Sequence, residues 1–182
     1  MRFVNASKRY ITKSYFVYIT IVTLSFAIVA IVVLPFFHPT LFAAYGNTLL
    51  KCNCIKPAIF LFEKHIKHIE KDFDEGINDP SREYMFVVLN MRIAMLYADC
   101  QQDYNKAIDI ILKTKVSFPQ QCELWNCGFE LSYYQFKKGS IDNAYETLKD
   151  TTMIANVESI DEMIVKFQSY DKLRSERPNK CR

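Results

Sequence analysis

QQDYNKAIDIILKTKVSFP, residues 101–119, decides the fold. Tyr104, Ala107, Ile108, Ile111 and Leu112 recur at helical spacing and so share one face of a helix. Pro119 stops the run, because proline lacks the amide donor that a helix interior uses. Before the stretch stands REYMFVVLNMRIAMLYADC, residues 82–100, a longer aromatic-rich amphipathic run. Two such runs joined by a short polar turn predict a helical hairpin, with residues 101–119 as its second half.

The pattern occurs twice. DYNKAIDIIL surrounds Ala107, and GSIDNAYETL surrounds Ala144. Each Ala has a hydrophobic residue three positions before it (Tyr104, Ile141) and another four positions after it (Ile111, Leu148). Each hairpin half follows a longer run, and for the second this is CELWNCGFELSYYQFKKG, residues 122–139. A small residue at a fixed place lets two helices cross closely, and stacked hairpins bury faces that one hairpin cannot bury alone.

On these residues the chain resembles the tetratricopeptide repeat superfamily. The two alanines fall where that repeat needs a small side chain, Pro119 matches its terminal proline, and Gly139 sits at the inter-helix turn. The resemblance covers residues 83–156, with an upstream piece in which Ile55, Ala58 and Phe62 fill the same three positions. It departs from the family in having Met95 and Ser132 where a small residue is expected midway along the first helix. The alanines are also 37 apart, and 49 separate Ala58 from Ala107, with DFDEGINDPS as an inserted loop. The resemblance implies an all-α domain whose first helices line a concave surface that binds peptides. Asn90, Tyr97, Asn126 and Tyr134 are the candidate contacts there. The stripe of Ile160, Met163, Ile164, Phe167 and Tyr170 predicts a final capping helix.

A membrane segment precedes this domain. No charged residue occurs between Lys13 and His38. Residues 15–37, YFVYITIVTLSFAIVAIVVLPFF, would span roughly 34 Å as a helix, enough for a hydrocarbon core of about 30 Å. Arg2, Lys8, Arg9 and Lys13 stand before it and the next lysine is Lys51, which predicts a cytoplasmic N-terminus. A signal peptide cut near Ala44–Gly46 is the competing reading, but its apolar core would exceed the about 7–15 residues usual there. The expected layout is a cytoplasmic segment 1–14, a transmembrane helix 15–37, and a juxtamembrane linker 38–50. A helical domain 51–174 and a polar tail 175–182 follow. The setting is a single-pass inner membrane protein with a periplasmic domain; no N-glycosylation acceptor follows the segment.

Composition agrees with helices. The 182 residues are 50% hydrophobic and 14% aromatic, with only four Gly and six Pro to form turns. A net charge of +3 supplies no concentrated basic face, so nucleic acid is not an expected partner. All six cysteines, Cys52, Cys54, Cys100, Cys122, Cys127 and Cys181, follow the membrane segment, where disulfides persist if the orientation holds. Six allow 15 pairings. Cys52 and Cys54 with His65 and His68 are a rival metal set, but paired CxxC spacing is absent. The histidines stand among Lys64, Lys67 and Lys71 and read as a solvated helix face.

No nucleophile–base pair, phosphate loop or metallohydrolase motif occurs, so neither catalysis nor a cofactor or metal is expected. Glu123, Glu130, Asp142 and Glu146 read as surface charges. The expected function is binding of another protein at the membrane. Two alternatives remain: a small-molecule sensor or enzyme with a pocket between hairpins, and a subunit acting through its membrane helix.

Overall fold

The computed structural model describes residues 40–77, 79–151 and 157–176, and the regular elements among them are all helices. Residues 1–14 and the apolar run 15–37 lie outside them. Among the described residues no helix is long and apolar enough to cross a membrane. The chain divides into two compact units, residues 1–41 and 42–182, and the second holds nearly everything described.

The helices are α1 (Thr40–Lys51), α2 (Ile55–Asp74), α3 (Pro80–Gln101), α4 (Tyr104–Ser117), α5 (Pro119–Leu124), α6 (Cys127–Lys138), α7 (Ile141–Lys149) and α8 (Ile160–Ser175). Within the stretch 38–50, expected as a juxtamembrane linker, residues from 40 on belong to α1, which buries Phe42. Helix starts follow side-chain caps. The Asp79 carboxylate accepts from Ser81 N at 2.9 Å with Pro80 at the first position of α3, and Asp103 accepts from Lys106 N at 3.0 Å. Ser159 accepts from Glu162 N, while the Glu162 carboxylate accepts from Glu158 N, a reciprocal cap on α8.

One turn is used three times. Asn53, Gln102 and Gly139 are left-handed, at φ of 58, 54 and 89°. Each is followed by the cap of the next helix: Cys54, Asp103 or Ser140. The amides of those caps turn back to the carbonyls of Leu49, Tyr97 and Gln135, satisfying acceptors that a helix end leaves open. Ala58, Ala107 and Ala144 are then the fourth residues of α2, α4 and α7, and all three are fully buried. Four residues on, Phe62, Ile111 and Leu148 are fully buried as well. The close crossings use small groups. Gly46 of α1 lies so near the Phe62 ring that a Cβ there would overlap it. Ser132 of α6 donates its hydroxyl to the carbonyl of Ala144.

The helices pack largely in chain order: α2 on α3, α3 on α4, α4 on α6, and α6 on α7. The second long run is not one helix. Pro119 opens the short α5, and Asn126 at φ 51° breaks the chain before α6 begins. Helix α8 covers α6 with rings: Phe129, Tyr133 and Phe136 meet Phe167 at centroid distances of 5.6, 5.6 and 5.2 Å. Each well-placed ring pair adds about 0.5–1.5 kcal/mol beyond its buried area.

Candidate functional site

Arg174, at the end of α8, is buried at 5% exposure. Its guanidinium donates to Asp99 of α3 at 2.8 Å, to Glu130 of α6 at 2.9 Å, and to the Tyr134 hydroxyl at 2.9 Å. It also lies 5.3–5.5 Å from the ring centres of Tyr133, Tyr134 and Tyr170. Burial pulls its pKa down, and the charges of Tyr134, Glu130 and Asp99 outweigh that and raise it, so it stays a cation. Burial drives the Tyr134 hydroxyl well above its ordinary value, with the Glu130 carboxylate acting in the same sense. Two carboxylates, one cation and three phenols thus clamp α8 across α6 and onto α3. Glu130 is an interior acceptor rather than a solvated charge.

One of the four expected peptide contacts lies in this clamp. Tyr134 is sealed inside it. Tyr97 is also buried; its hydroxyl accepts from Lys106 Nζ at 2.6 Å and lies 3.4 Å from Glu63. Asn126 stands in the α5–α6 turn, its Oδ1 buried and without a hydrogen-bond partner. Asn90 is elsewhere again, donating to Phe86 O at 3.0 Å. The four candidates do not converge.

Asn90 does lie on a groove. Glu70 of α2, Phe86 and Asn90 of α3, and Ile110, Leu112 and Val116 of α4 line an open space of about 560 Å³. Leu112 and Val116 lie four apart on α4, at 42% and 84% exposure. An apolar pair at that spacing on a helix face matches the anchor spacing by which helices and peptides dock in grooves. Thr114 between them is turned inward and donates to Ile110 O at 2.7 Å. The repeat pattern assigned Leu112 to the packed face, where it does not belong. Its signal was available: with Ala107, Ile111 and Thr114 on one side of α4, Leu112 falls off that line by a helical turn's geometry.

The histidine and cysteine expectations also change. His65 is buried against Phe42, ring centres 6.2 Å apart, and is not solvated. Burial, and then His68, lower its pKa. Cys52 and Cys54 are exposed thiols in the α1–α2 turn, while Cys122 and Cys127 are buried thiols. No disulfide joins any two of these four, contrary to expectation for them; Cys181 lies outside the described residues, and Cys100 is on α3. The interaction of the two side chains lowers the pKa of Cys122 and, together with burial, raises that of Cys127.

Comparison with protein-family models, curated proteins and solved structures yields no match.

Proposed function

We propose that this chain is a membrane-displayed adaptor whose TPR-like helix pairs bind another protein. The run 15–37 anchors it with the N-terminus in the cytoplasm, and the helical unit works in the extracytoplasmic space, against a partner in or at the same membrane. The observation that carries the reading is the contrast between the two faces of the helix pairs. The face shared by α3 and α6 is closed by α8 through Arg174, whereas the α2–α3–α4 groove keeps Leu112 and Val116 in solvent. Exposed apolar side chains beside polar groups such as Asn90, Lys113 and Glu70 are what a docking groove presents. The groove replaces the concave surface as the binding site.

Val116→Asp and Leu112→Asp test this, because both side chains are already exposed and their loss leaves the core intact. Each variant is expected to reduce co-purification of the membrane partner about tenfold, roughly 1.4 kcal/mol of binding free energy. Undiminished association with the double variant would sink the groove assignment. Topology is read separately with a membrane-impermeant maleimide. The exposed thiols of Cys52 and Cys54 are expected to react without opening the inner membrane; reaction only after opening would place the domain in the cytoplasm.

A further inference from the structure

Three sulfur-bearing side chains are buried in the interior, away from the groove. Cys122 lies in α5, Cys127 opens α6, and Met91 faces them from α3; their exposures are 2, 0 and 3%. The Cys127 thiol donates to Met91 Sδ at 3.3 Å. Cys122 and Cys127 line the same small pocket. The turn at Asn126, with its left-handed backbone, ends α5 and starts α6, and places two cysteines five positions apart on one pocket. This pocket reaches the pair from the surface, lined by Cys122, Cys127, Asn126, Lys115, Glu123 and Asp150. The Asn126 Oδ1 on its wall is buried and has no hydrogen-bond partner.

We propose that Cys122, Cys127 and Met91 form a three-sulfur binding site for Cu(I). Thiolate and thioether are soft donors, and a soft monovalent cation is what they select. Zinc takes four ligands from Cys, His and carboxylate, and the thioether is not among them. Hard cations seek oxygen and would stop at Glu123 and Asp150 on the pocket wall. Binding releases the two thiol protons. Two thiolates with one Cu(I) leave a single negative charge, and the Lys115 ammonium on the same pocket offsets it. The thioether adds a donor without adding charge, which suits a buried site.

The test uses the full-length chain in detergent, reduced and kept anaerobic, on a Cys52→Ser/Cys54→Ser background that removes the exposed thiols. Cu(I) is titrated against a chromophoric Cu(I) chelator, and the bound ion is examined by X-ray absorption. One copper per chain with a shell of three sulfurs is expected. Met91→Leu keeps the volume of the side chain and hence the fold; it is expected to remove one sulfur from the shell and weaken binding at least tenfold. Cys122→Ser is expected to abolish competition with the chelator, with helicity checked by circular dichroism. Unchanged affinity and sulfur count in Met91→Leu would overturn the proposal, as would a shell of nitrogen and oxygen in the parent chain.

Discussion

Gly46 shows how one missing methyl group positions a helix. A Cβ on it would overlap the Phe62 ring, and Phe62 is itself fully buried, so the ring can yield only by displacing other buried groups or filling a void. Gly46→Ala is therefore expected to destabilise the domain by about 1–3 kcal/mol, the usual cost of overpacking, read as a lower urea midpoint. Had Phe62 room to yield, the midpoint would stay or rise, since alanine is the better helix former. His65 acts through protons. Its folded pKa lies below the ordinary 6.5, so the unfolded chain binds more protons between the two values. Stability is full above about pH 6.5 and falls as the pH drops from there to the folded pKa. His65→Leu should flatten that slope in urea titrations at about pH 7.5 and about pH 5.5. An unchanged slope would remove His65 from the account. Ala58, Ala107 and Ala144 were legible in the sequence because their neighbours at minus three and plus four repeat. Gly46 was not, because it stands in an apolar stretch that also reads as a cleavage site; its spacing of twelve to Ala58 equals that of Ser132 to Ala144. His65 was misread because its lysine neighbours point outward while Phe62, Ile66 and Ile69 turn in with it.

Helix α8 was legible as an element and its anchor was not. The stripe Ile160, Met163, Ile164, Phe167, Tyr170 announces a packed face, and Arg174 is the next position on that stripe. A charged residue continuing an apolar stripe signals a buried charge only when its partners are known, and Asp99 and Glu130 lie 75 and 44 positions away in the chain. Arg174→Met is expected to cost about 3 kcal/mol in the full chain, since it strands the Glu130 carboxylate, 13% exposed, beside the tyrosine rings, while Asp99, 32% exposed, falls back on water. Arg174→Lys should recover only part of this, because one ammonium cannot reproduce the guanidinium fork. A loss under about 1 kcal/mol for Arg174→Met would mean that the ring contacts alone hold α8. The α5–α6 break escaped the sequence for a related reason. CELWNC carries no Gly or Pro, and Asn126 adopts the left-handed conformation that Asn tolerates better than most residues. The opposite case is the α3–α4 turn, where QQD was read as polar turn and Gln102 supplies the positive φ.

At the scale of the molecule, the fold class and most helices were readable because helical periodicity survives without tertiary information. Which face stays open was not readable. That choice depends on where α8 lands, and α8 lands through a clamp of residues from three helices. Its position closes the face shared by α3 and α6 and leaves the groove of α2, α3 and α4 open, which is why the proposed binding surface lies there. The claim that this groove binds a protein is tested most directly by placing a photoreactive amino acid at Val116 in the full-length chain in its host membrane. Val165, exposed on α8 and outside the groove, serves as the reference position. The account predicts a discrete cross-linked species from Val116 that is missing from Val165 and is lost when Leu112→Asp is added. The same species from both positions, or none from Val116, would contradict it.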